Sequence, residues 1–468
     1  MLVPLKLVRD QPLQRQMFEQ FASLIHSGRL TPGARMPSTR MVAGQFGVSR
    51  ITVLLVYDRL IAEGCLETIP AKGTFVSQAP VPRPGTAIGR PAQGPSDGSA
   101  PPCGGGIGET RLGRPDPTLF PLARWRALLR NSVVRLGTTA GTDHGTGAVR
   151  LRHSIAGWLA TSRGLAVSPD QVILVSGRQQ ALHLVSHLLL PRGGRAVLED
   201  PCDPSVARTY AEGGADLLYV RVDERGIRPE ALPDGPAALL YVTPEHQRPS
   251  GALLSAERRA ALLDWAGRSG AMVVEDDYDG EIRYGGIEAA PLMSLDGGER
   301  VLHIGCFATA LGPWVTLGYI IVPISMAQAA RNCKRLLDDS VEAVESAALA
   351  EFLESGAYAR HVHRLHKIYS RRRDALLGAL RRHFGPVTTW GTSAGLHLAW
   401  HFPKTLGAAV TLAEQARHCG LEAEATGGAD AQALLLGFGT LSEAGLECGI
   451  DRLAAHTSVQ TGSAMRSV

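Results

Sequence analysis

Apolar positions follow two rhythms along this chain, and the change of rhythm divides it. Between residues 35 and 76 the spacing is helical: Val53, Tyr57, Leu60 and Ile61 recur at i, i+4, i+7 and i+8, which gathers them on one helix face. Ser38 and Ser49 stand where N-caps belong, because a serine hydroxyl accepts from the free amides of a helix's first turn. Gly47 turns the chain between two helices, and Gly64 stops the second. A helix-turn-helix is therefore predicted, with Arg50 and Thr52 facing outward on the first turn of its second helix. Two short strands are predicted on either side of Pro70, Ala71, Lys72 and Gly73, a hairpin whose tip carries a cation and reads as a wing.

From Leu119 onward the rhythm changes. Apolar runs of strand length at 172–177, 238–244, 271–277, 300–305 and 317–323 alternate with helix-length amphipathic stretches. That alternation predicts a mostly parallel sheet covered on both faces by helices. Between the two regions about half the residues are Pro or Gly and large apolar side chains are scarce, which predicts an extended, mobile tether. The boundaries that follow are 1–77 for a small head, 78–112 for the tether and 113–460 for a large α/β domain.

Composition sharpens this division. The chain has 468 residues, 44% of them hydrophobic, which is ample for a second, larger core. No apolar run approaches the roughly 20 residues needed to span a bilayer, and the N-terminus lacks the apolar segment of a signal peptide, so a cytoplasmic protein is expected. Seven cysteines are scattered without a CxxC pair, so neither a disulfide framework nor a zinc site is indicated. Charge carries more information. Residues 1–77 hold nine Lys/Arg against five acids, whereas the remainder balances 39 against 39, so the formal excess of +4 sits in the head. A basic head whose recognition helix presents Arg50 and Thr52 on its first turn is suited to phosphate and to base edges in a major groove, so double-stranded DNA is the expected partner.

The motifs GRLTPGARMPS, SRITV, YDRL, EG and GTFV lie in order from Gly28 to Val76. With them, the stretch from Pro12 to Val76 resembles the GntR-type winged helix. The resemblance implies Arg35, Ser38, Arg40, Ser49, Arg50, Thr52, Lys72, Gly73 and Thr74 as DNA contacts. Further on, GRPDPTLFPLARW, SGRQQAL, LEDPCDPSVAR, YVTPEHQRPSG, VEDDYDGEIRY, HIGCFATALGPWVTLGY and AGLHL resemble the landmarks of a fold-type I, aminotransferase-like domain. Head and domain together resemble the MocR subfamily of GntR regulators. The fold class implied is a winged helix joined to an α/β domain of the kind that binds pyridoxal 5'-phosphate (PLP).

In that family an aspartate at a strand end pairs with the pyridine nitrogen, and a helix N-terminus holds the phosphate. By resemblance Asp276 and Tyr278 take the ring positions, and Gly177, Arg178 and Gln179 the phosphate turn. Arg178 replaces a small hydroxyl there, and its guanidinium could still pair with an anion. His246 joins the same pocket. The Schiff-base lysine of the family is replaced by Thr309, whose hydroxyl cannot form an imine. Ala308 stands for a phosphate-binding serine, Thr316 for an arginine, Asp203 for an aromatic that stacks on the ring, and Leu435 for a carboxylate-binding arginine of some members. The large-domain lysines Lys334, Lys367 and Lys404 lie far from this segment in sequence.

The expectation is a homodimeric transcriptional regulator whose aminotransferase-like domain is catalytically degenerate, binds no PLP covalently and senses a small-molecule effector. Two alternatives stay open: a regulator that holds PLP non-covalently on Asp276 and Arg178, and a PLP enzyme with an accessory DNA-binding head. No metal is expected. His361, His363 and His366 do not share one helical face and read as a basic solvated helix. The carboxylates Glu275, Asp276, Asp277, Asp279 and Glu281 read as a family motif rather than a cation site.

Overall fold

A computed structural model describes residues 5, 13–62, 65–69, 72–77, 112–136, 149–284, 290–338, 342–426 and 432–464. Of the expected tether, 78–111 lies outside the described residues. The chain divides into two compact units, 1–106 and 107–468.

The first unit runs α1 (Leu13–His26), α2 (Thr39–Phe46), α3 (Arg50–Ala62), β1 (Leu66–Ile69) and β2 (Gly73–Val76). Its helix ends follow from the residues that occupy them. The Ser38 hydroxyl accepts from the Met41 amide at 3.3 Å, Gly47 turns left-handed at φ 63°, and the Ser49 hydroxyl accepts from the Thr52 amide at 3.1 Å. Met17, Phe21, Val42, Val53, Val56 and Leu60 close a small core. Tyr57, also buried, donates its hydroxyl to the Pro37 carbonyl at 2.9 Å, which fixes α3 against the start of α2. The two strands pair antiparallel from Leu66↔Val76 to Ile69↔Gly73, making the wing.

The second unit carries β3 (Val172–Val175), β4 (Arg195–Asp200), β5 (Asp216–Asp223), β6 (Gly226–Ile227), β7 (Leu239–Val242), β8 (Met272–Asp277), β9 (Val301–Cys306) and β10 (Gly318–Ile321) in one sheet. Their order is β3-β10-β9-β8-β7-β4-β5-β6. Five central strands are parallel, as expected, but β10 runs antiparallel to both β3 and β9. Pleating sends alternate residues to opposite faces. Tyr241 and Val274 belong to one buried cluster, and Leu240 and Val273 to the other. The C-terminal end of β8 therefore aims Asp276 to one side of the sheet and Asp277 to the other. A smaller antiparallel sheet holds β11 (Thr388–Trp390), β12 (His397–His401), β13 (Glu422–Ala425) and β14 (Ala433–Gly437) in the order β11-β12-β14-β13. Leu112, placed at the end of the tether in the sequence reading, is buried against Ala399 and Leu435 of this sheet.

Among the described residues no helix is long and apolar enough to cross a membrane, and none of the six described cysteines is in a disulfide.

Candidate functional site

In the head, the wing and the helix-turn-helix share a cleft lined by Arg35, Ser38, Thr39, Met41, Gly73 and Thr74. Arg35, Ser38, Arg40, Arg50 and Lys72 are exposed, and Arg50 Nε reaches the Thr39 hydroxyl at 3.4 Å. Two of the expected contacts have a second duty. Ser38 and Ser49 spend their oxygens on capping, and Ser49 also meets the Thr52 hydroxyl at 2.9 Å.

The large-domain site forms at the C-terminal ends of the parallel strands, where open α/β sheets hold ligands. Gly177, with φ 139°, begins the helix Arg178–Leu189, and its carbonyl neighbour Thr316 leaves only 3.1 Å for a Cβ there. Arg178 does not point at a free anion. Its Nε donates to Asp276 Oδ2 at 2.5 Å, Nη1 to Asp203 Oδ2 at 3.1 Å, and Nη2 to the Tyr241 hydroxyl at 2.8 Å. The Tyr241 hydroxyl in turn donates to Asp276 Oδ2 at 2.5 Å. Burial disfavours the charge on Arg178, but Asp276, Tyr241 and Asp203 outweigh burial and hold the guanidinium well above its ordinary pKa. Burial likewise works to raise Asp203, yet Arg178 and Arg248, the latter at 2.9 Å, keep its carboxyl below the usual range.

These contacts test whether PLP fits. One feature suits a pyridine nitrogen: Asp276 Oδ1 is buried and has no hydrogen-bond partner. The rest do not. The side chain rooted at the expected phosphate turn crosses to Asp276, and Asp203, at the position expected to stack on a ring, is committed to two arginines and caps the helix Pro204–Glu212. Thr309, buried at the start of the helical turn Ala308–Leu311, gives its hydroxyl to the Tyr278 carbonyl at 2.7 Å, with Asp279 Oδ1 at 3.1 Å. Tyr278 turns its own hydroxyl to the His246 carbonyl at 2.9 Å. Gln179 is held by the Thr209 hydroxyl at 2.7 Å, Thr316 is exposed, and Leu435 is buried in the Leu112 cluster. Lys334 supplies no amine here, because it is fully buried with Nζ on the Asp338 carbonyl at 2.7 Å. The residues present do not fit PLP bound in the family manner.

Tyr241, Arg248 and Ser205, whose hydroxyl accepts from Arg178 Nη1 at 3.4 Å, were not singled out from the sequence. Tyr241 pairs in register with Val274, two residues before Asp276, so strand pairing was the signal that would have found it.

The carboxylates of the VEDDYDGEIRY segment divide between the two sheet faces, and Glu275 and Asp277 share His303, whose Nε2 lies 3.8 Å from Asp277 Oδ2. Glu275 pairs with His303 at 3.1 Å, Asp277 with Arg163 at 2.5 Å, Asp279 with His246 at 3.0 Å, and Glu281 accepts from Tyr358 at 3.1 Å. On the Asp277 side lies a cavity of about 300 Å³ lined by Arg163, Glu245, Asp277, Glu281, Arg283 and His366 among others. Burial, with Asp277 adding, pushes the Glu281 carboxyl up to about 7.

Two histidine readings change. The helix Ala357–Phe384 is not simply solvated: His361 is buried with Nε2 on the Ala310 carbonyl at 2.9 Å, and His366 Nε2 meets the Glu281 carbonyl. A different trio, His246, Asp279 and His397, is buried together with one potential ligand atom from each within 4.8 Å of the others. His397 already meets the Pro249 carbonyl at 3.1 Å, and burial, then His246 and Arg248, holds it well below its ordinary pKa.

Comparison with known proteins agrees with both halves. The description "Bacterial regulatory proteins, gntR family" matches residues 13–76. Over 451 residues the chain is 32% identical to the HTH-type transcriptional regulator YhdI of Bacillus subtilis (strain 168), covering 94% of this chain and 95% of that one. It is 34% identical over 411 residues to a probable rhizopine catabolism regulatory protein, MocR, of Rhizobium meliloti, covering 85% and 83%. Among solved structures an archaeal alanine:glyoxylate aminotransferase aligns with a TM-score of 0.66 and 25% identity over 74% of this chain and 89% of the other.

Proposed function

We propose, from the premise that the chain belongs to the MocR type of GntR transcriptional regulators, that its aminotransferase-like domain has exchanged PLP for an internal ion pair and works without transaminase activity. The protein is a DNA-binding regulator. The observation that carries the finer reading is Arg178 Nε on Asp276 at 2.5 Å. A guanidinium rooted at the phosphate turn supplies the cation that a pyridinium would otherwise offer to this aspartate. The domain then serves for homodimerisation, because aminotransferase-like pockets are built at a dimer interface, and for reading a small molecule in the cytoplasm. The charged cavity of about 300 Å³ on the Asp277 face supports that second role, because the cofactor-side pocket is filled by protein groups.

A second reading, PLP held without a covalent bond, draws on Asp276 Oδ1 alone. One experiment separates the readings. Protein purified in the presence of PLP is expected to lack absorption near 400–430 nm and to gain no covalent adduct on borohydride reduction. A yellow protein whose colour is lost on denaturation supports the second reading, and a reducible adduct supports an enzyme.

A further inference from the structure

The outward face of α3 is unexpectedly apolar for a helix that reads DNA. Ile51 is 70% exposed, Leu54 48% and Leu55 47%, although all three are large aliphatics on a helix with its own buried stripe. Ile51 and Leu55 are one turn apart, and Leu54 lies three residues from Ile51, so they form one surface patch. Burial of Val53, Val56, Tyr57 and Leu60 fixes the opposite face against the head's core. Packing within the head therefore does not account for the patch.

Its neighbours indicate what covers it. Arg50 precedes Ile51 on the same first turn, Ser49 caps that turn, and exposed Arg40 and Lys72 belong to the same basic unit. Asp58, exposed seven residues after Ile51 on the same line, would repel phosphate and limits the contact to the first two turns of α3. In a major groove the one apolar group on a base edge is the C5-methyl of thymine. Arginine and lysine secure the backbone and guanine, and aliphatic side chains have nothing to meet but that methyl.

We propose that Ile51, with Leu54 beside it, reads thymine methyl groups, so that the operator carries thymine at fixed positions in each half-site. Covering one methyl group changes affinity by about fourfold, and the reading is independent of what the large domain binds.

The test uses the full-length protein and a duplex selected from a randomised library, with affinity measured by fluorescence anisotropy at fixed salt. Each conserved thymine of the selected duplex is replaced in turn by deoxyuridine, which lacks only the methyl. At one or more positions the wild type is expected to lose about fourfold, while Ile51→Ser binds the thymine and deoxyuridine duplexes equally. Ile51→Val, which keeps an aliphatic branch, is expected to retain most of the discrimination and guards against a loss of folding. Selected duplexes without fixed thymines, or deoxyuridine tolerated everywhere, would overturn the proposal. So would an Ile51→Ser variant that still discriminates while its oligomeric state changes, because the patch would then be covered by a second copy of the chain.

Discussion

Replacing Arg178 tests the buried network most directly. Arg178→Met keeps the aliphatic stem and removes the guanidinium. Asp276 would then retain only the Tyr241 hydroxyl, while Asp203 would keep Arg248 at 2.9 Å. The Asp276 side chain is fully buried, and stripping a buried carboxylate of its cation costs about 3–5 kcal/mol. Asp276→Asn leaves Arg178 with Asp203 and the two hydroxyls, so its cost is expected at the lower end of that range. The double variant removes both charges, and the two changes should couple by about 2–3 kcal/mol. Urea unfolding followed by tryptophan fluorescence reads this cleanly, because all six tryptophans lie beyond residue 112 and report the large domain alone. Costs that add to within about 0.5 kcal/mol would show that Arg178 and Asp276 do not share an ion pair in solution and would refute the account of the pocket.

Other consequences are open to measurement. Thr309→Lys alone is expected to give no stable borohydride-reducible PLP adduct, because Arg178 and Asp203 still occupy the pocket; saturation at micromolar PLP, followed by absorbance, would contradict this. Arg50→Ala should weaken cognate-site binding by about 1–3 kcal/mol and relax preference at one position, whereas Lys72→Ala should weaken all sequences alike, both read by anisotropy. Burial pushes the carboxyl of Glu199 up to about 7 from an ordinary value near 4.5, so between those pH values the folded chain holds a proton that the unfolded chain releases. Stability therefore falls as pH rises from about 4.5 to 7, by about 3 kcal/mol for this group, and Glu199→Gln should remove that part of the slope in urea melts.

What was legible in the sequence was local. Ser38, Gly47 and Ser49 announce the ends of α2 and α3 because capping is decided within a few residues, and the GTFV strand follows from its own pattern. The strands of the large sheet were legible as apolar runs, but β10's antiparallel direction was not, since apolar runs carry no polarity. Thr309 entered through the resemblance of its segment to a family pattern and not through any local rule of the caps' kind. The partner of Arg178 was not legible: Asp276 lies 98 residues away, and only the sheet, with β3 and β8 separated by β10 and β9, brings the two together. His246, Asp279 and His397 met from three separate segments, which no spacing rule could join. His361 was read as solvated because the strand-end turn at Ala310 that buries it is remote in sequence.

The Arg178 side chain differs from any dissolved ligand in one respect. A bound molecule stabilises its host by an amount that grows with its concentration and vanishes on dilution. A cation attached through the backbone is always at one-to-one stoichiometry, cannot be outcompeted by washing, and is in position as soon as Asp276 folds beside it. On the proposed function, the stability that this ion pair lends the domain does not depend on the supply of PLP.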